Sequence, residues 1–246
     1  MKQDPIVILG SGAMASFFAA RLLAAGQPVA LLDAWEEALQ KISGQGLRLV
    51  NSDGRLETFH PLVATADPGD CPSTSLALVL VKSWQTEQTA RQLRQVLAPD
   101  GLALSLQNGL GNLEKLAAIL GPDRVAAGVT TYGATLLEAG LVQPEGEGEI
   151  ALEQAARLDG LYRRLHSAGF KLRRQANLDS LLWGKLLVNA AVNPTTALLG
   201  VPNGALLEHP AAWAVAEAAL LEASRVASAQ NIRLPYADPR RHVRAV

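Results

Sequence analysis

The chain has 246 residues, 49% hydrophobic and 18% charged, with a formal net charge of −1. That supplies a real core, in one large domain or two moderate ones, and the near-neutral balance excludes nucleic acid and anionic membranes as expected partners. A single cysteine, Cys71, excludes an intrachain disulfide, and His60, His166, His209 and His242 show no metal-ligand spacing, so no metal is expected.

The apolar run Ile6, Val7, Ile8, Leu9 closes on Gly10-Ser11-Gly12, which predicts a first strand rather than a secretion signal; the expected location is the cytoplasm. A helix is predicted over 13–25 and stopped by Gly26, then a strand over 29–33 and a short helix over 36–42. Residues 47–66 read as extended segments turned at Asp53-Gly54. The run 76–81 is apolar on both faces, as a strand inside a parallel sheet must be, and ends at Lys82. A polar helix over 85–97, a Pro99-Asp100-Gly101 turn and a strand over 102–106 follow, the last closing on Gln107-Asn108-Gly109. After a helix over 113–120, glycines punctuate the chain to Leu152, where antiparallel strands are expected; 158–167 reads as a helix and 170–173 as a last strand. From Asn177 onward only helices are predicted. The fold class is therefore α/β: a Rossmann-type doubly wound parallel sheet over residues 1–174, then an all-helical domain over 175–246. The apolar stretch 180–201 carries Lys185, Asn189, Asn193 and an Asn-Pro break, which argues for a buried helix of a soluble protein, ended by Pro194, rather than a membrane span.

Gly10-Ser11-Gly12-Ala13-Met14-Ala15 fits G-x-G-x-x-A between a strand and a helix. The first glycine permits the turn, the second lets backbone approach a pyrophosphate, and the helix N-terminus faces the anion. Gly10, Ser11, Gly12, Ala13 and Met14 are thus expected to bind a dinucleotide. Asp33 ends the second strand, where a carboxylate accepts from the ribose hydroxyls of NAD and repels the extra phosphate of NADP. No arginine or lysine lies between Arg21 and Lys41, so the residues favour NADH.

Lys82 and Asn108 each follow an apolar strand directly, where open α/β sheets bind ligands; either could equally just close its strand. Lys185 is the one charged residue between Asp179 and Glu208, and helical spacing puts Asn189 and Asn193 on its face. Such a lysine either snorkels to the surface or faces a cleft, where desolvation lowers its pKa and suits it to proton transfer.

Taken together, Gly10-Ser11-Gly12-Ala13-Met14, Val81-Lys82-Ser83-Trp84-Gln85, Gln107-Asn108-Gly109-Leu110-Gly111, the run from Lys185 through Asn189 to Asn193-Pro194, and Pro202-Asn203-Gly204 resemble the ketopantoate reductases, in order over nearly the whole chain. The resemblance implies reduction of 2-dehydropantoate to D-pantoate, a step toward pantothenate and coenzyme A, usually with NADPH. It implies Lys185 as the general acid, Asn189 and Asn193 on the polar groups of the substrate, Asn108 on cofactor and substrate, and Lys82 positioning the ligand.

Two features depart from the family pattern. Family members usually carry an arginine near position 34 for the 2′-phosphate, and this chain has Ala34 beside Asp33. The family's N-x-S-S-M-x-x-D pattern is absent, and the helical part reads as cut short. Three outcomes are therefore carried forward: a ketopantoate reductase, an NADH-dependent D-2-hydroxy acid dehydrogenase for a bulkier 2-keto acid, and a cofactor-binding protein inactive through shortening. An exposed apolar face on a helix near 211–229 is expected to favour a homo-oligomer.

Overall fold

The computed structural model describes residues 4–245. An eight-stranded sheet organises the larger unit, which runs to Gln107 and resumes over Gly111–Ala176. Within it β1 (Ile6–Leu9) is flanked by β2 (Val29–Leu32) and β6 (Thr74–Val79), both parallel to it. Beyond β2 lies β5 (Val63–Thr65); beyond β6 lie β7 (Leu97–Ser105), β8 (Val125–Thr130), β11 (Ile150–Glu153) and β12 (Leu172–Gln175). Every pairing is parallel except that of β8 with β11. Strand order reverses about β1, so the carboxyl ends of β1 and β6 flank a topological switch point, the place where doubly wound sheets bind ligands.

The pleat sorts the side chains into two cores. Ile6 and Ile8 face one side with Phe17, Phe18 and Leu22 of α1 (Ala13–Ala24) and with Phe170. Val7 and Leu9 face the other, with Ala90 and Leu93 of α3 (Thr86–Val96) and Leu116 of α4 (Asn112–Leu120). Burial on both faces explains why β1 and β6 read as continuous apolar runs. Phe18 stacks on Phe170 at 4.5 Å, and Phe17 meets both edge-on. Each such buried ring contributes about 1.5–3 kcal/mol from burial. This fixes α1, and with it the loop that α1 starts from.

Two parts of the unit differ from expectation. β7 starts at Leu97, so Pro99-Asp100-Gly101 lies inside the strand rather than in a free turn. Pairing jumps from Thr74↔Leu97 to Leu76↔Leu102, and the extra residues bulge out, which tolerates a proline without an N–H. The segments around Asp53-Gly54 and Gly140 leave the main sheet altogether. The hairpin of β3 (Leu47–Val50) and β4 (Leu56–Phe59) pairs with that of β9 (Gly133–Glu138) and β10 (Leu141–Glu145) in a second sheet of order β4-β3-β10-β9. α2 (Glu36–Gln45) and α5 (Asp159–Ser167) complete the unit.

The second unit holds the residues from Asn177 onward and also groups Asn108–Leu110 with them. Its helices are α6 (Leu178–Leu199), α7 (Pro210–Ala229) and α8 (Pro239–Arg244), packed around Trp183, Leu187, Ala191, Trp213, Ala216 and Leu220. Both tryptophans are core side chains. Asn177 caps α6, its Oδ1 accepting from the Ser180 amide at 3.1 Å. Pro194 does not end α6, as expected from the sequence; the helix runs on to Leu199 and stops at Gly200 in the left-handed conformation. Pro194 forfeits one backbone bond, but Thr195 and Thr196 beyond it are buried. Their hydroxyls donate back to the carbonyls of Ala191 (3.2 Å) and Val192 (3.1 Å). Burial of the turn beyond it, rather than these hydroxyl bonds, outweighs the proline. No helix among the described residues is long and apolar enough to cross a membrane.

Candidate active site

β1 delivers the chain into Gly10, whose φ of +119° no L side chain adopts comfortably. A Cβ there would also sit 3.3 Å from Ala15 Cβ and from the backbone of Leu80 at the end of β6. Gly10 is thus glycine for two reasons, conformation and close approach. Gly12 is the residue before α1, with open space where its Cβ would stand. The first turn of α1 has no side-chain cap and no acidic residue. A first helical turn leaves amides without intrahelical partners, and one with neither a side-chain cap nor a nearby carboxylate suits a pyrophosphate. Gly10, Gly12, Ala13 and Met14 therefore fit a dinucleotide.

Ser11 is used differently. Its amide (2.7 Å) and its hydroxyl (2.6 Å) both donate to Asp33 Oδ2, while Asp33 Oδ1 accepts from the Ala34 amide at 2.7 Å. Asp33 is only 8% exposed and Ser11 is fully buried, so this is an internal strut from the end of β2 to the glycine loop. The strut leaves lone-pair capacity on Oδ1, so a ribose contact and loop support are compatible. Beyond it come Ala34, Trp35, Glu36 and Glu37, and the next cation, Lys41, pairs with Glu37 and Glu138 at 3.7 Å each.

After β6, Lys82 is exposed and opens a tight turn over Ser83–Gln85 that leads into α3. The Gln85 amide donates to the Lys82 carbonyl (2.9 Å) and the Lys82 amide donates to Gln85 Oε1 (3.2 Å). Trp84 in that turn is 78% exposed. After β7, Asn108 is exposed, but its neighbour Gln107 is buried in a hydrogen-bonded cluster with Ser105, Thr86 and Asn112. Sequence reasoning missed this cluster, because a buried polar residue and a solvated one are written alike. The one signal was a run of polar residues at two adjacent strand ends.

On α6, Lys185 and Asn189 are half-buried and Asn193 is exposed, at successive four-residue steps along one face. Burial holds the Lys185 ammonium below the usual lysine range. The turn that carries Lys185 is clamped from outside the helix. The Tyr236 hydroxyl donates to the Gly184 carbonyl at 3.0 Å, and a Cβ on Gly184 would lie 2.7 Å from Pro235 Cγ. Burial pushes the Tyr236 phenol up to about 12, so it stays a donor through the physiological range. Neither contact was visible in the sequence, since Gly184 and Tyr236 stand 52 positions apart.

An open groove of about 750 Å³ also lies along α6 and α7, walled by Leu198, Leu199, Val215 and other apolar residues. Lys82, Asn108, Lys185, Asn189 and Asn193 are not among its lining residues. No cluster of histidine, cysteine and carboxylates that could hold a metal occurs among the described residues. Burial and the nearby Asp70 and Asp67 push the Cys71 thiol up to about 11, away from the thiolate form.

Two family models match successive parts of the chain. "Ketopantoate reductase PanE/ApbA" matches residues 6–157, and "Ketopantoate reductase PanE/ApbA C terminal" matches 177–246. The chain belongs to the ketopantoate reductase PanE/ApbA family. The 2-dehydropantoate 2-reductase of Halobacterium salinarum is 36% identical over 233 residues, covering 92% of this chain and 76% of the relative. That of Archaeoglobus fulgidus is 34% identical over 250 residues, covering 99% and 80%. Among solved structures, a PanE/ApbA family ketopantoate reductase from Ralstonia eutropha superposes with a TM-score of 0.88 at 30% identity, over 98% of this chain and 79% of that one. A D-mandelate dehydrogenase solved with NADH and anilino(oxo)acetate has a TM-score of 0.89 at 23% identity over 98% and 79%, a likeness of fold.

Proposed function

We propose that this chain is a 2-dehydropantoate 2-reductase, reducing the C2 carbonyl of ketopantoate to the hydroxyl of D-pantoate with a nicotinamide dinucleotide. The observation that carries the reading is the Lys185, Asn189, Asn193 face of α6, in a chain that matches this family over both its segments. When bound, the dinucleotide supplies the hydride for the carbonyl carbon. Gly10, Gly12, Ala13 and Met14 hold its pyrophosphate on the first turn of α1. Ser11 and Asp33 keep that loop in shape, and the spare lone pair of Asp33 serves the adenosine ribose. Lys185 gives its ammonium proton to the oxygen at C2 as negative charge develops there, and solvent reprotonates the amine after product leaves. Burial that lowers its pKa makes this transfer easier than for a solvated lysine. Asn189 and Asn193 offer donors and acceptors to the polar groups of the substrate, and Lys82 and Asn108 fix the ligands at the strand ends.

We further propose NADH as the preferred cofactor, on the buried Asp33 carboxylate and the absence of a cation near Ala34. The same observation favours, as a second reading, an NADH-dependent D-2-hydroxy acid dehydrogenase for a bulkier 2-keto acid. The test is cofactor oxidation by the purified chain with ketopantoate and with branched and aromatic 2-keto acids, each with NADH and NADPH. Ketopantoate is expected to give the highest kcat/KM, with NADH. A bulky keto acid turned over faster would favour the second reading. Cofactor binding without any turnover would overturn both in favour of a binding protein.

A further inference from the structure

We propose that Gln107 and Thr86 form a positioning bridge that ties the turn carrying Lys82 to the end of β7, just before Asn108, so that a buried polar hub sets the geometry of two otherwise exposed ligand loops. The inference rests on the reductase reading for its activity arm. Gln107 sits at the end of β7 and spends its whole side-chain amide on this task. Its Nε2 donates to the Val81 carbonyl at 3.0 Å, one residue before Lys82, and to Thr86 Oγ1 at 2.9 Å. Its Oε1 accepts from Ser105 Oγ at 2.9 Å. Thr86 is the hub. Having accepted from Gln107, its one proton serves the Ser83 carbonyl (2.9 Å) or Asn112 Oδ1 (3.0 Å). One threonine thereby touches the turn after β6, the end of β7 and the start of α4.

The four side chains are among the most buried polar groups of the chain: Thr86 at 0% exposure, Ser105 at 4%, Asn112 at 5% and Gln107 at 9%. Burying polar atoms costs stability unless each is paired, and a paired cluster fixes one arrangement where apolar packing would accept several. Lys82, Ser83, Trp84 and Asn108 around it are exposed, and the hub is the buried polar structure directly beneath the two strand ends that carry them. Thr86 and Gln107 touch no reacting atom in this account; they act through Lys82 and Asn108, as positioning residues.

Thr86→Val keeps the shape of the side chain and removes the hydroxyl; Thr86→Ser restores it. Both are compared with the wild-type chain for NADH affinity by calorimetry, for ketopantoate kcat/KM, and for backbone hydrogen exchange over 81–86 and 107–112. The valine variant, which loses both the bond accepted from Gln107 and the one donated to Ser83 or Asn112, is expected to weaken NADH binding and to lower kcat/KM about tenfold each. It should also speed exchange in both segments at once, and serine should recover all three. A valine variant that melts earlier yet keeps wild-type affinity, kcat/KM and 107–112 exchange would overturn the proposal and leave the hub merely structural. If valine prevents folding, Gln107→Met, which leaves Thr86 and Asn112 paired to each other, carries the same expectations and the same refutation. A wild-type chain that binds NADH without reducing ketopantoate would instead refute the reductase reading, and the affinity arm then decides the bridge.

Discussion

Replacing Asp33 by asparagine separates its two jobs. The carboxylate accepts three hydrogen bonds of 2.6–2.7 Å, two from Ser11 and one from Ala34. Asparagine has a single acceptor oxygen, so with that oxygen toward Ser11 its NH₂ faces the Ala34 amide. One bond is lost and two donors meet in a place that is 8% exposed. A buried donor left unpaired costs about 1–3 kcal/mol. At about 2 kcal/mol, the melting temperature of a domain this size should fall by about 4–8 °C. The electrostatic effect has the opposite benefit. Two unit charges about 4 Å apart repel by about 1 kcal/mol in water and about 4 kcal/mol at an effective dielectric of 20. Relief of about 2 kcal/mol on losing the charge shifts the NADPH-to-NADH ratio of kcat/KM by roughly thirtyfold toward NADPH. The assay is kcat/KM for each cofactor at saturating ketopantoate, alongside a thermal melt. A melt that falls while the ratio moves by less than about twofold would refute Asp33 as the discriminator and leave it only a strut for the loop.

Gly184→Ala puts a methyl 2.7 Å from Pro235 Cγ and 2.9 Å from its Cδ; overpacking of this kind costs about 1–3 kcal/mol, and calorimetric melts should show it together with a lower kcat. Tyr236→Phe keeps the ring and loses the bond to the Gly184 carbonyl, so a milder loss of about 1 kcal/mol is expected by denaturant titration. For Lys185 the acid form is the working form and burial lowers its pKa, so kcat should fall as pH rises through a value below the 10.5 of a free lysine; a profile flat to that pH would contradict the assignment. The stability sign is the reverse of a salt-bridged lysine: the fold disfavours the charged amine, so stability rises with pH between the lowered pKa and 10.5. Lys185→Met should therefore remove this rise from thermal melts taken across that pH range.

The first strand, the glycine loop and α1 were legible because local rules suffice there: an apolar run, a G-x-G turn and a helix follow one another without long-range help. The polar face of α6 was legible from helical spacing alone. What escaped the sequence depends on partners far along the chain. The second sheet joins β3 to β10, about ninety residues apart in the pairing Arg48↔Leu141. α6 continues through Pro194 because the turn beyond it is buried at Thr195 and Thr196, a tertiary gain that a propensity rule omits. Asp33 was read as a cofactor ligand from its place after β2, but its contact with Ser11, 22 positions earlier, gives it a structural role as well. The Thr86–Gln107 hub escaped for the same reason, being 21 positions apart and built only when β6 and β7 lie side by side.

The central claim is that the face of α6 protonates a keto acid while hydride reaches its C2. Ketopantoate-dependent oxidation of NADH, measured side by side for the wild-type chain and Lys185→Met, tests it most directly. Turnover by the wild type, reduced by about 10²–10⁴ in the variant with NADH affinity unchanged, is the predicted result. Equal turnover by both proteins would contradict it.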